Sequence, residues 1–274
     1  MAQKFFNGII ISILFFLSFD IQAQTKEGTQ NIFRIIGGDI ETATIDGFHL
    51  LISPQHFSGK DLAITGGTIF TTAGIMTADK DIRKYAKKNH SDINDKISDV
   101  GKAYGNVIAP VIIGGSIYSY GLFFKDEDVR TTGRMLIEAA VFSGAITTVI
   151  KTVAGRSRPF KEEGNYFYRP IQFNNDHTSF PSGHSTLAFA VSTVLSERLH
   201  NVYSSIGLYT LAGVTALSRV YTDDHWASDV FMGSAIGFFV GRYIADNSGP
   251  LYKNKSVTIN LSPTLSGFNL SASF

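Results

Sequence analysis

The chain contains no cysteine. Disulfides, thiolate zinc sites, iron–sulfur clusters and cysteine nucleophiles are therefore excluded, although this absence does not assign a redox compartment. Charge is scarce as well. Asp, Glu, Lys and Arg make up 17% of 274 residues, against about 25% in an average soluble protein. The formal net charge is +1, which lacks the basic excess of a general nucleic-acid binder. Long apolar runs are few: only Ala103–Phe124, bounded by Lys102 and Lys125, reaches 22 uncharged residues. What is plentiful is glycine, 26 residues, within a 44% hydrophobic composition. Such a chain is not disordered. With a mean hydropathy of +0.08, it points to a deeply buried or membrane-associated helical protein. Its length allows one or two domains, each with a core of its own.

Residues 1–23 have the pattern of an export signal. Lys4 supplies the positive start, Ile9–Phe19 the apolar stretch, and Ala23 the small residue before cleavage. The other reading is a retained anchor, for which the apolar run is short against the roughly 20 residues of a span. Export places the mature protein in the periplasm, with membrane association compatible with its composition. Residues 24–59 show no sustained period and are expected to form an irregular lead-in.

A helical bundle is expected over 60–246. Ser58 and Asp61 form a capping pair at a helix start, followed by the uncharged stretch Leu62–Ala78 and a charge-rich segment, Asp79–Lys88, expected to be solvated. Ser91 opens a short amphipathic helix carrying Ile93, Ile97 and Val100. Ala103–Phe124 has the length of a bilayer span, yet Pro110 and four glycines equally suit a close-packed buried helix. Asp126–Asp128 start a further helix that places Lys151 near its end, before Gly155. Ser182–Leu199, Val202–Leu217 and Trp226–Ala245 read as three more. The tail, 247–274, alternates Val257, Ile259 and Leu261, then Phe268, Leu270, Ala272 and Phe274, with polar residues: the period of a β-hairpin. Either it packs on the bundle or it serves as a terminal outer-membrane targeting strand. The fold class is thus all-α, with a short C-terminal hairpin.

Three clusters carry chemistry. In KTVAGRSRP, Lys151 and Arg158 are seven residues apart, and Pro159 disfavours helix at Arg158. Arg158 is therefore expected in a loop after a helix that ends near Gly155. Alone, such basic residues are ordinary partners of a helix C-terminus. In PSGH, Pro181–His184, a helix start leaves backbone N–H groups free for an anion, Gly183 permits close approach, and His184 stands beside it to exchange a proton. Alone, this is a capped helix with a surface histidine. In SRVYTDDHWASD, His225 and Asp229 are four apart. On one helical face the carboxylate would fix the imidazole tautomer and leave the other nitrogen nucleophilic. Arg219 adds a third cation. The Asp223–Asp224 pair is unusual beside an anion site; it either caps the last helix or moderates the field.

Together the clusters follow, in order, K-x6-R-P, P-S-G-H and S-R-x5-H-x3-D, with all eleven fixed positions present. The chain thus resembles the type-2 phosphatidic acid phosphatase superfamily, which includes bacterial class A acid phosphatases and vanadium haloperoxidases. The resemblance implies a helical bundle and hydrolysis through a phosphohistidine. Lys151, Arg158 and Arg219 would bind phosphoryl oxygens, assisted by Ser182 and Gly183. His225 would be the nucleophile, Asp229 its orienting partner and His184 the general acid. The expected reaction is metal-independent hydrolysis of a phosphomonoester or pyrophosphate of a lipid, with no cofactor and with vanadate as inhibitor. The alternatives are a haloperoxidase holding vanadate as cofactor and a broad periplasmic acid phosphatase. No compact carboxylate cluster marks a magnesium site beside the motifs. Guanidinium and ammonium groups supply the positive charge instead. Headgroup choice is assigned to loops such as 161–178.

Overall fold

The computed structural model describes residues 26–248, 258–264 and 267–273. The expected signal segment, 1–23, lies outside them. Among the described residues there are eight α-helices: α1 Lys26–Ile52, α2 Gly59–Lys88, α3 Asp92–Tyr104, α4 Ile108–Phe123, α5 Glu127–Ala154, α6 Gly183–Leu199, α7 Val202–Tyr221 and α8 Ala227–Asn247. Residues up to Glu41 cluster as a unit of their own, whose described part is helical. The second unit begins at Thr42 and contains the bundle.

The lead-in is thus corrected: α1 replaces the expected irregular segment, and a short 3-10 turn, Ser53–His56, follows it. In the bundle part of α1, Ala43, Asp46, Gly47 and Leu50 turn inward at spacings of three and four. That row mixes a carboxylate and a glycine with aliphatic groups, so no apolar period shows in the sequence. Asp46 is buried because Arg134 Nη1 lies 3.2 Å from its carboxylate and 2.6 Å from that of Glu138, while Arg134 Nη2 donates to the Ser248 carbonyl. Charges removed from water persist only when paired in this way.

Helix α2 starts where expected, on a Ser58–Asp61 capping box. Its charged end departs from expectation. Asp79 is 1% exposed rather than solvated, because it turns toward a buried arginine described below. The amphipathic α3 is present, capped by Ser91. However, Ile93, Ile97 and Val100 face outward, and the buried side is Ser98 and Gly101, against α7. The long uncharged run is not one helix. It breaks between Tyr104 and Ile108, and α3 and α4 meet at a 54° bend. Asn106 caps the restart by accepting from Ile108 N–H.

Helix α5 runs from the Asp126 cap to Gly155, as the acid-first, base-last pattern requires. The core joins Met135, Leu136 and Ala139 of α5 to Ala190, Val191 and Val194 of α6 and Val240 and Ile244 of α8. Helix α8 approaches α6 through Gly233, Gly237 and Gly241, spaced by one turn. A Cβ on Gly237 would fall 2.1 Å from the Thr186 carbonyl oxygen. Gly237→Ala should therefore force the helices apart and cost about 1–3 kcal/mol. Thermal unfolding of the purified protein checks this, and an unchanged midpoint would contradict the close packing. In the tail, Thr258–Thr264 (β1) and Gly267–Ser273 (β2) pair antiparallel, with Leu261 opposite Leu270.

Candidate active site

The helices that carry the three motifs alternate in direction. The end of α5, the start of α6, the end of α7 and the start of α8 therefore meet at one end of the bundle. Gly155 terminates α5 in a left-handed turn, φ +61°, and its N–H donates to the Lys151 carbonyl. A side chain there would collide with the Arg169 carbonyl, 1.6 Å from the Cβ position. This stop releases the chain so that Arg158 lies in extended backbone before Pro159, as the sequence predicts.

Lys151 Nζ donates to the carbonyl of Thr178 at 2.6 Å and lies 3.3 Å from that of Ser179. Arg158 Nε donates to the Asn175 carbonyl, and its Nη1 reaches the Asp224 carbonyl at 3.2 Å. Arg219 Nη2 pairs with the Asp224 carboxylate at 2.6 Å, while its Nε and Nη1 are buried without a hydrogen-bond partner. Buried unpaired guanidinium donors are costly, and an oxyanion satisfies them. Asp224 does not cap α8, whose cap is Trp226. It sits among the cations, so the field-moderating alternative fits. Its neighbour Asp223 turns away to a bidentate pair with Arg83 of α2.

Ser182 is the cap residue of α6 and Gly183 its first residue. The Ser182 hydroxyl accepts from Ser185 at 3.0 Å, which leaves its own proton to donate. A Cβ on Gly183 would touch Lys151 Cε at 3.7 Å, so this backbone lies directly beside the lysine stem. His184 occupies the first turn of α6. Burial, then the nearby Arg219, Lys151 and Arg158 charges, hold its pKa down at about 4.

His225 is 3% exposed. It precedes the Trp226 cap of α8, so its four-residue relation to Asp229 is not that of two residues on one helical face. The two approach through the cap turn, with Nδ1 3.7 Å from Asp229 Oδ2. That distance is a close approach and longer than a hydrogen bond. Catalytic hydrogen bonds are commonly long before substrate arrives. Asp229 Oδ2 already accepts from the Ser179 hydroxyl at 2.5 Å and Trp226 N–H at 2.9 Å. Burial pushes His225 well below its ordinary pKa. Burial alone would raise Asp229, but Arg156, His225 and Ser179 outweigh it and hold the carboxyl at about 2.

All eight expected site residues are therefore placed at this end of the bundle. Sequence reasoning missed Arg156, Ser179 and Asp79. Arg156 was hidden inside the first motif, between the two cations that the pattern fixes. Asp79 had a signal: it is the first charge after the uncharged stretch of α2.

At one end of the all-helical bundle, three cations and a buried histidine–aspartate pair meet at aligned helix ends. Residues 133–248 match the PAP2 superfamily. It is 29% identical over 177 residues to a lipid A 1-phosphatase of Porphyromonas gingivalis, covering 62% of this chain and 35% of that protein. It is 32% identical over 114 residues to a lipid A 1-phosphatase of Rhizobium johnstonii, covering 40% and 45%. The chain thus spans less than half the length of these curated relatives. The crystal structure of a transmembrane PAP2-type phosphatidylglycerolphosphate phosphatase from Bacillus subtilis shares the fold. Its TM-score is 0.50 at 22% identity, over 71% of this chain and 96% of that one.

Proposed function

We propose that the protein is a lipid phosphatase that hydrolyses a phosphomonoester or pyrophosphate without a metal, through a phosphohistidine on His225. The observation that carries this reading is that Lys151 and Arg158 bear on the His225–Asp229 pair while Arg219, from a third element, bears on both of those cations and keeps two donors unpaired. The lipid phosphatase relatives support the substrate class.

The phosphoryl oxygens bind the three cations, the Ser182 hydroxyl and the free N–H groups that start α6. His225 Nε2 attacks phosphorus while the P–O bond to the leaving group breaks. His184 gives its proton to that oxygen. A bound dianion offsets the surrounding cations and raises the His184 pKa, so the ring can be protonated in the complex. Water then attacks the phosphohistidine, His184 takes its proton, and inorganic phosphate leaves. Charge stabilisation by fixed cations is the main catalytic effect in such a transfer.

Export and membrane association belong to the same reading. Helix α5 alone, among the described helices, is long and apolar enough to cross a membrane as one element. Large apolar side chains stand exposed on several helices, including Phe70 (81%), Val111, Val149 and Leu217. An exposed apolar surface of this extent matches contact with lipid.

The test is phosphate release by the purified protein in EDTA, comparing a lipid phosphate in mixed micelles with a soluble aryl phosphate. Release from lipid, unaffected by chelator and blocked by vanadate, is expected. Loss of activity in EDTA with recovery on magnesium would overturn the metal-independent mechanism. Equal release from both substrates would make it a broad acid phosphatase. Failure with both, together with vanadate-dependent bromide oxidation by peroxide, would make it a haloperoxidase.

A further inference from the structure

We infer that Arg156 and Asp79 are positioning residues for the reaction: a buried pair, half of it outside the three motifs, that fixes the Asp229 carboxylate on which His225 depends. This rests on the phosphatase reading above.

Arg156 is fully buried. Its Nη1 donates to Asp229 Oδ1 at 2.6 Å and to Ser228 Oγ at 2.7 Å. Its Nη2 donates to Asp79 Oδ2 at 2.8 Å, and Nε and Nη2 both meet the Asn165 carbonyl. Asp79, on α2, accepts in addition from the Ser228 hydroxyl at 2.6 Å and the Ser228 N–H at 3.0 Å. The Trp226 ring lies 5.7 Å from the guanidinium carbon, and its indole N–H donates to the Ser157 carbonyl.

This arrangement divides the Asp229 carboxylate. Oδ1 is taken by Arg156, whereas Oδ2 faces Ser179, Trp226 N–H and His225. A carboxylate held at one oxygen cannot rotate away from the imidazole at the other. A lone arginine at that depth would be an uncompensated charge, and Asp79 compensates it. Moreover, Asp79 lies on α2, outside residues 133–248 that match the superfamily. The matched segment therefore does not contain every group that sets the nucleophile. Arg156 and Asp79 act through Asp229 and Ser228, which distinguishes them from the residues that meet the phosphoryl group.

The charges facing Asp229 and His225 are Lys151 from α5, Arg156 and Arg158 from the loop, and Asp79 from α2 beyond Arg156. His184 and Arg219 border the same site from α6 and α7. The sign of a pH effect follows. Removing the positive Arg156 raises the pKa of both Asp229 and His225, so whichever carries the acid limb of the rate profile, that limb moves to higher pH. Removing the negative charge of Asp79 moves it to lower pH.

The experiment compares Arg156→Gln, Arg156→Lys, Asp79→Asn and Ser228→Ala in the full chain. It measures kcat, KM, the pH–rate profile and vanadate binding. Arg156→Gln is expected to lower kcat by about 10²-fold, the cost of a small misplacement of a catalytic group, with KM and vanadate affinity within about threefold. Its acid limb should rise by about one pH unit, while that of Asp79→Asn falls. Ser228→Ala, which removes one contact from each partner without changing charge, should lower kcat less and leave the limb in place. It keeps the test alive should a charge variant not fold. Full kcat in Arg156→Gln, or in Ser228→Ala where that variant alone folds, overturns the inference. So does a loss of kcat matched by vanadate affinity with unmoved limbs, since that is the mark of general structural damage. A wild-type protein that binds vanadate but releases no phosphate would instead overturn the phosphatase reading itself.

Discussion

His225→Ala should abolish turnover. Lipid phosphate hydrolysis is expected to fall by at least about 10³-fold, and no phosphorylated protein should be trapped when a radiolabelled substrate is quenched within one turnover. The reason is local. His225 is the imidazole held against Asp229, 3.7 Å away, and the Lys151 and Arg158 charges act on the same ring. No other histidine in the site has a carboxylate of Asp229's kind behind it. His184→Ala provides the contrast. It removes the proton donor and leaves the nucleophile, so an aryl phosphate with a good leaving group should still label the protein, and the label should decay slowly. Undiminished labelling of His225→Ala would remove it as nucleophile and leave His184 as the group to test.

Arg219→Ala should cost about 10²–10³-fold in kcat/KM, the usual loss when one preorganised donor to a developing oxyanion is removed. Vanadate, which copies the trigonal-bipyramidal phosphoryl group, should weaken in parallel. Arg219 is buried with Nε and Nη1 unpaired, while Nη2 holds Asp224 at 2.6 Å. Its removal therefore does two things. It deletes two donors, and it frees a carboxylate that repels the incoming phosphate. Adding Asp224→Asn to Arg219→Ala should accordingly recover part of the loss. Arg219→Lys should recover little, because a single ammonium cannot serve Asp224 and the phosphoryl oxygens together. Vanadate affinity that stays at the wild-type level in Arg219→Ala would place the oxyanion elsewhere.

Helix ends were the most legible part of the structure. Ser58, Asp126 and Gly155 mark them with side-chain caps or a left-handed stop, effects that act within a few residues. The motif residues were legible for the same reason, since each cluster sits at a helix end whose position could be read. The lead-in was not, because α1 turns Asp46 and Gly47 inward rather than an apolar row. The Ala103–Phe124 run was misread as continuous because hydropathy records solvent preference and not direction. Its break at residues 105–107 is a feature of the chain path.

The sequence by itself determined the all-helical class, the order of the three motifs and the residue types they carry, because propensity, capping and side-chain chemistry are short-range. The tertiary structure alone decided that His225 meets Asp229 through a cap turn rather than along a helix. It also decided that Asp224 occupies the cations and that Asp79 crosses from α2 to pair with Arg156, 77 residues away. Those contacts depend on how helices pack, and an ion pair between distant segments leaves no period or spacing in the chain that forms it.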